Sequence, residues 1–308
     1  MTSDVSKTKI GFVGIGNMGF PMAACLQRAG YDLTVSDASE SRMDEFVTEV
    51  GGKKASELAS LAAECDFVVT MLPNSSVVAD VLFEGSDNLA RGLKKGATLI
   101  EMSSGVPSKT LEIAKRLESL GVGIIDAPVS GGPTKSGSGT LTIMTGGEKE
   151  VVDRCMPILE VMGEKIFRTG ALGSGQVLKC VNNLVSAGCF LISAEAVFIG
   201  QKFGLDPNFI VDVLNVSSGQ NSSAQRKMKQ YVLSHKYESG FSLDLMVKDL
   251  TIAMEVARDT KTNVPFASLC REIWAMTGAV LGSGKDHTAF AKVIESTSGL
   301  VPAVETAA

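Results

Sequence analysis

Ile10-Gly11-Phe12-Val13-Gly14-Ile15-Gly16-Asn17-Met18-Gly19 decides how the rest of the chain is read. Gly14, Gly16 and Gly19 set the spacing G-x-G-x-x-G directly after an apolar run and directly before a helix-like segment. In such a turn the first glycine permits a tight strand-to-helix reversal, the second lets the backbone approach a pyrophosphate, and the third lets helix and strand pack closely. The helix N-terminus adds unpaired N–H groups and the positive end of its dipole, both suited to phosphates. Around this turn, Lys9 to Val13 reads as a strand, Phe20 to Ala29 as a helix with Gly30 as its C-cap, and Leu33 to Ser36 as a second strand. That strand runs into Asp37, eighteen positions beyond Gly19, near the ~20 expected of a carboxylate that hydrogen-bonds an adenosine ribose. The reading is a dinucleotide site built from Gly14, Gly16, Gly19 and Asp37. Asp37 would repel a 2′-phosphate, and Ala38, Ser39, Glu40 and Ser41 bring no arginine close behind it, so NAD is preferred to NADP. Arg42, in the next helix, either reverses that preference or is a solvated helix charge.

The chain has 308 residues, 44% hydrophobic and 20% charged, an ordinary globular balance whose length favours two domains. A net charge of −5 argues against nucleic acid or an anionic membrane as partner. No apolar run approaches the ~20 residues of a membrane span, and the polar start Met1 to Lys9 is unlike a signal peptide. Six scattered cysteines without a C-x-x-C pair read as reduced thiols, which places the protein in the cytoplasm. The two histidines have no ligating neighbour at useful spacing, so no metal site is expected.

After Asp37 the pattern continues with helices at about 42–50 and 56–64, a strand from Cys65 to Pro73, and a helix capped by Asn74-Ser75-Ser76. Further strands read at about 97–102, 123–127 and 141–145, and further helices at about 108–120 and 149–162. This alternation predicts an α/β Rossmann domain, a doubly wound and mostly parallel sheet, over residues 1–170. From Gly175 to Phe203 nothing stops a helix, and only helix-like segments follow, at about 207–214, 224–233, 245–260 and 267–281. Residues 171–308 are therefore expected to form an all-α domain for substrate and subunit packing, entered by one long helix at about 175–203. Its tail, about 296–308, is expected to fray.

Lys179 and Asn183 lie four apart in the long helix and share one face. A lysine partly desolvated among apolar residues has its pKa lowered toward the range useful for proton transfer, although a lysine near a helix start can equally snorkel to solvent. With these residues the chain becomes recognisable. It resembles the β-hydroxyacid dehydrogenase family, which includes 3-hydroxyisobutyrate dehydrogenase and tartronate semialdehyde reductase. Five motifs carry the resemblance: Gly14-Ile15-Gly16-Asn17-Met18-Gly19; Met71-Leu72-Pro73; Asp126-Ala127-Pro128-Val129-Ser130-Gly131-Gly132; Gly175, Lys179 and Asn183; and Phe241 with Lys248-Asp249.

The resemblance implies that Lys179 exchanges the proton of the substrate oxygen while hydride moves to or from the nicotinamide, and that Asn183 orients the substrate. It also implies that Met71, Leu72, Pro73, Ser104 and Lys248 help to hold the cofactor. Ser130, Gly131, Gly132, Phe241 and Asp249 would line the substrate, with the glycine-rich turn binding a carboxylate. Plain turn, core and surface-pair roles remain open for Gly131 and Gly132, Phe241, and Lys248-Asp249 respectively. Glu101-Met102-Ser103-Ser104 stands where relatives carry D-S-S-T or D-M-S-T, so Ser104 keeps the hydroxyl and loses the methyl of a threonine. The loop Ser217-Ser218-Gly219-Gln220-Asn221-Ser222 is a further candidate for a substrate carboxylate, or an ordinary loop.

The activity this implies is NAD-dependent oxidation of a small 3-hydroxy acid to its semialdehyde, or the reverse. The alternatives are reduction of tartronate semialdehyde, glyoxylate or succinic semialdehyde, and, more remotely, a redox-inactive dinucleotide-binding module. 6-Phosphogluconate dehydrogenase fits less well, because Asn182 stands where that family has a histidine. A homodimer or homotetramer is expected.

Overall fold

The computed structural model describes residues 8–300, and the chain divides into two units between Lys179 and Cys180. In the first unit the order is β1 (Lys9–Val13), α1 (Gly19–Arg28), β2 (Asp32–Ser36), α2 (Glu40–Glu49), β3 (Lys53–Lys54), α3 (Leu58–Glu64), β4 (Phe67–Thr70) and α4 (Ser75–Phe83). It continues with β5 (Thr98–Glu101), α5 (Pro107–Glu118), β6 (Gly123–Asp126), β7 (Val129–Ser130), α6 (Gly132–Gly137), β8 (Leu141–Gly146), α7 (Lys149–Met162) and β9 (Gly163–Gly170). Strands β3-β2-β1-β4-β5-β6 are parallel in that order, the doubly wound arrangement whose order reverses between β1 and β4. β8 joins β6 antiparallel, and β7 and β9 flank β8.

The central strands are apolar along their whole length because both faces are covered. Phe67, Val69 and Ile100 enter one core with Phe12, Leu26 and Ile125, while Val68 and Leu99 enter another with Val13, Leu82 and Leu117. Three short elements, β3, β7 and α6, and the largely exposed β9 have no counterpart in the sequence reading. Two-residue strands and a charged edge strand carry no periodicity to read.

α8 (Ser174–Phe203) begins in the first unit and runs on into the second. The division falls nine residues beyond the boundary expected after residue 170. The reason is that the first turn of α8 is hydrogen-bonded to the ends of β5 and β6, as described below. α8 is also long and apolar enough to cross a membrane by length and composition, which corrects the expectation that no apolar run approaches that length. Serines and asparagines interrupt its apolar residues without making the helix polar, and half of its most apolar stretch is buried within the structure.

The second unit adds α9 (Pro207–Val216), a π-helical segment Ala224–Val232, α10 (Leu243–Asp259), α11 (Pro265–Leu281), a 3-10 turn His287–Ala289 and α12 (Phe290–Thr297). Its core gathers Phe190, Phe198 and Leu191 of α8 around Trp274 and Phe290, whose rings stack at 4.2 Å. Of the tail expected to fray, Ser296 and Thr297 close α12. Residues 301–308 lie outside the described residues, as do residues 1–7 of the polar start.

Candidate active site

The glycine turn sits after β1, at the reversal of strand order. Gly14 has φ +93°, donates its N–H to Ser36 O at 2.8 Å, and has no room for a Cβ against the carbonyl oxygen of Met71. A Cβ on Gly19 would strike the carbonyl of Gly14. Gly16 is different: it is exposed and nothing lies within 4 Å of where its Cβ would be. The protein's own packing therefore requires the first and third glycines but not the second. That open space at the start of α1 is what a pyrophosphate would fill.

Asp37, just past β2, accepts Ile15 N–H on Oδ2 at 2.8 Å and Ser39 N–H on Oδ1 at 2.9 Å. Each oxygen keeps accepting capacity for a ribose hydroxyl. Arg42 is not simply a solvated charge. Its Nε donates to Ile15 O at 3.2 Å, its guanidinium lies 4.2 Å from the centroid of the Phe20 ring, and it pairs with Glu45 at 2.6 Å. Met71-Leu72-Pro73 follows β4, with Met71 N–H on Val13 O at 2.9 Å and Leu72 N–H on Ser103 Oγ at 2.9 Å. Of the cofactor candidates, Gly14 to Gly19, Asp37, Met71 to Pro73 and the half-buried Ser104 are thus set at the carboxyl ends of β1, β2, β4 and β5. Lys248 lies in the second unit.

The start of α8 is held by two buried side chains that the sequence reading did not single out for this task. Asp126, at the end of β6, accepts Gly173 N–H and Gln176 N–H, each at 2.7 Å, and so caps α8 from another strand. Burial raises its pKa, and these N–H donors work in the opposite direction. The first residue of the D-A-P-V-S-G-G stretch is therefore a helix cap. Gln176 uses its whole carboxamide: Nε2 donates to Glu101 Oε2 at 2.6 Å and to Ser103 O at 2.9 Å, and Oε1 accepts Gly105 N–H at 2.7 Å. Glu101, 2% exposed, also accepts Ser103 N–H at 2.9 Å. Lys179 follows Gln176 by three residues and is only 9% exposed.

Ser130 closes β7, and Gly131 (φ +145°) and Gly132 (φ +71°) turn the chain into α6. Both glycines are needed for the turn itself, whatever else their N–H groups do.

In the second unit Asn183 is 6% exposed and donates Nδ2 to Asp249 Oδ2 at 2.5 Å. Its Oδ1 accepts from Asn182 at 3.1 Å. Lys248 Nζ lies 3.2 Å from Asp249 Oδ1. Phe241 accepts His287 N–H on its carbonyl at 2.8 Å, and its ring lies edge-on to the imidazole at 5.6 Å. In the Ser217–Ser222 loop, Asn221 is a local cap: Oδ1 accepts Ser223 N–H and Ala224 N–H at 3.0 Å, and Nδ2 donates to Ser193 Oγ at 3.0 Å. Among the described residues no group of three His, Cys, Asp or Glu could hold a metal ion.

Residues 9–170 match the family described as the NAD binding domain of 6-phosphogluconate dehydrogenase. Residues 173–294 match the NAD-binding domain of NADP-dependent 3-hydroxyisobutyrate dehydrogenase. The chain is 38% identical over 292 residues to the mitochondrial 3-hydroxyisobutyrate dehydrogenase of Mus musculus, covering 93% of this chain and 87% of the mouse protein. It is 35% identical over 294 residues to 2-(hydroxymethyl)glutarate dehydrogenase of Eubacterium barkeri, covering 95% and 96% of the two. Among solved structures, 3-hydroxyisobutyrate dehydrogenase of Mycobacterium tuberculosis with L-serine superposes with a TM-score of 0.83 at 31% identity, covering 93% of this chain and 99% of that one. With the doubly wound first unit and the helical second unit, these similarities place the chain in the β-hydroxyacid dehydrogenase family.

Proposed function

We propose that this protein is an NAD-dependent dehydrogenase that oxidises the hydroxyl of a small 3-hydroxy acid to the semialdehyde, or reduces that semialdehyde, with Lys179 as the proton-transfer group. The observation that carries the reading is a lysine buried to 9% exposure, one turn into a helix whose start is pinned by Gln176 to the loop carrying Ser104. In oxidation the neutral amine of Lys179 accepts the substrate hydroxyl proton; in reduction its ammonium polarises the carbonyl and donates. Asn183, on the same face of α8, hydrogen-bonds the substrate with an amide whose orientation Asp249 sets.

Ser130 and the N–H groups of Gly131 and Gly132 take the substrate carboxylate, and Phe241 supplies an apolar wall. The cofactor is held by Gly14, Ile15, Gly16, Asn17, Met18 and Gly19, by Asp37, by Met71, Leu72 and Pro73, and by Ser104 and Lys248. NAD supplies the hydride acceptor when bound, and NADH the donor.

A homodimer or homotetramer belongs to the same proposal. Its support is the row of exposed apolar residues at seven-residue spacing on α8, Val185, Ile192 and Ile199, continued by Phe203. The cytoplasm is supported by six cysteines without a disulfide.

Initial rates with NAD and NADP across 3-hydroxyisobutyrate, glycerate, L-threonate and 2-(hydroxymethyl)glutarate, together with the reverse reductions, test the activity. Turnover of at least one acid that is faster with NAD than with NADP is expected. Tight NADH binding with no turnover in either direction would contradict it.

A further inference from the structure

Lys227 is a charged residue of the second unit that the reading above leaves without a task. It lies in the π-helical segment Ala224–Val232, a geometry that is rare and frequent at functional sites. Ala224, Met228 and Val232 of that segment are buried in the core, and Lys227 beside them is half-buried. Its Nζ donates to Ser186 Oγ at 3.4 Å and lies 5.7 Å from the centroid of the Phe190 ring. Ser186 is three residues beyond Asn183 on α8, so the two share a side of the helix with a rise of about 4.5 Å between them. The ammonium therefore stands one helical turn from the amide proposed to hold the substrate.

No carboxylate pairs with this ammonium among the described residues, whereas the neighbouring Lys229 pairs with Asp212 at 2.6 Å. The titratable groups that face Lys227 are Cys189 of α8 and Asp286 and His287 at the 3-10 turn. Asp286 is committed elsewhere: it accepts from Ser239 Oγ at 2.9 Å, Gly240 N–H at 2.8 Å, Thr288 N–H at 2.8 Å and Thr288 Oγ1 at 2.5 Å. His287 is neutral at physiological pH, since burial and the Lys227 charge push its pKa down to about 4, and its Nδ1 lies 3.1 Å from Phe241 O. Burial likewise lowers the Lys227 pKa to about 8, which leaves it charged at neutral pH. A half-buried cation whose nearest carboxylate, Asp286, is committed to other donors costs stability unless an anion is supplied at closer range.

We infer that Lys227 binds a second carboxylate carried on the substrate's side chain, so that the protein takes 3-hydroxy acids with two carboxylates in preference to those with one. This rests on the proposal that Asn183 touches the substrate.

The test compares wild type with Lys227→Met, with Lys227→Gln as the second variant should Lys227→Met fail to fold. The readouts are kcat and KM for 2-(hydroxymethyl)glutarate and for 3-hydroxyisobutyrate, with NAD saturating. The ratio of the two kcat/KM values, dicarboxylate over monocarboxylate, is expected to fall tenfold or more, mostly through KM for the dicarboxylate. In wild type that KM should rise above about pH 8, as the ammonium loses its proton, and in the variant it should not. An unchanged ratio overturns the inference, as does wild-type enzyme that turns over 3-hydroxyisobutyrate but not the dicarboxylate. Wild-type enzyme that turns over neither acid contradicts the catalytic reading. Calorimetric titration of glutarate into the NADH complex then decides the anion site. Binding at least tenfold weaker in Lys227→Met supports it, and equal or absent binding overturns it.

Discussion

Single atoms separate what the glycine turn does for the fold from what it is proposed to do for a cofactor. Gly14 and Gly19 are glycines because backbone carbonyls occupy the places of their side chains, whereas nothing in the protein claims the place beside Gly16. Gly16→Ala should therefore leave thermal stability nearly unchanged and weaken NADH binding tenfold or more, about 1.4 kcal/mol. Gly19→Ala should lower the melting temperature itself. Thermal unfolding and NADH fluorescence titration of the two variants check this, and a Gly16→Ala protein that binds NADH as wild type does would contradict it. The glycine spacing and Asp37 were legible in the sequence because they are local: a turn, a strand and a carboxylate within thirty residues. Glu101 and Gln176 were not, because their hydrogen bond joins positions 75 apart and no spacing rule carries it. The sequence pointed to Ser104 and not to Ser103, yet it is Ser103 Oγ that accepts the Leu72 N–H.

At the scale of elements, α8 is where fold and chemistry meet. Its N-terminal N–H groups go to Asp126, and its second side chain anchor, Gln176, holds Glu101, Ser103 O and Gly105 N–H together. Replacing Gln176 by leucine removes this partner from Ser103 O and Gly105 N–H and one of several partners from Glu101, at about 1–3 kcal/mol for each group that stays buried and unsatisfied. Gln176→Leu should lower both the melting temperature and kcat, since Lys179 rides on the same turn, while the NADH affinity proposed to be set at the glycine turn changes less. Wild-type kcat in a measurably destabilised Gln176→Leu would show that the anchor does not position the lysine. The long helix was readable from its lack of stop signals. The π-helical character of Ala224–Val232 was not, because apolar residues at intervals of four fit either helix type. β7 and α6 escaped for a different reason: Gly131 and Gly132 read as a turn, and the turn opens directly into a helix of six residues.

Across the whole molecule, alternation of strands and helices followed by helices alone was enough to give the doubly wound sheet and the helical second unit. What alternation does not encode is where one unit stops, because that depends on the long-range hydrogen bonds that draw the first turn of α8 into the first unit. The division at Lys179 puts the proposed acid–base group at the last residue of the cofactor-binding unit, carried by the helix that continues with Asn183. In the proposed mechanism Lys179 moves the proton and does not hold the cofactor. The most direct test measures steady-state kcat and the NADH dissociation constant for Lys179→Ala beside wild type. A fall in kcat of about 10²–10⁴ or more, with NADH affinity within twofold, is the predicted result. Turnover near the wild-type rate would contradict the account.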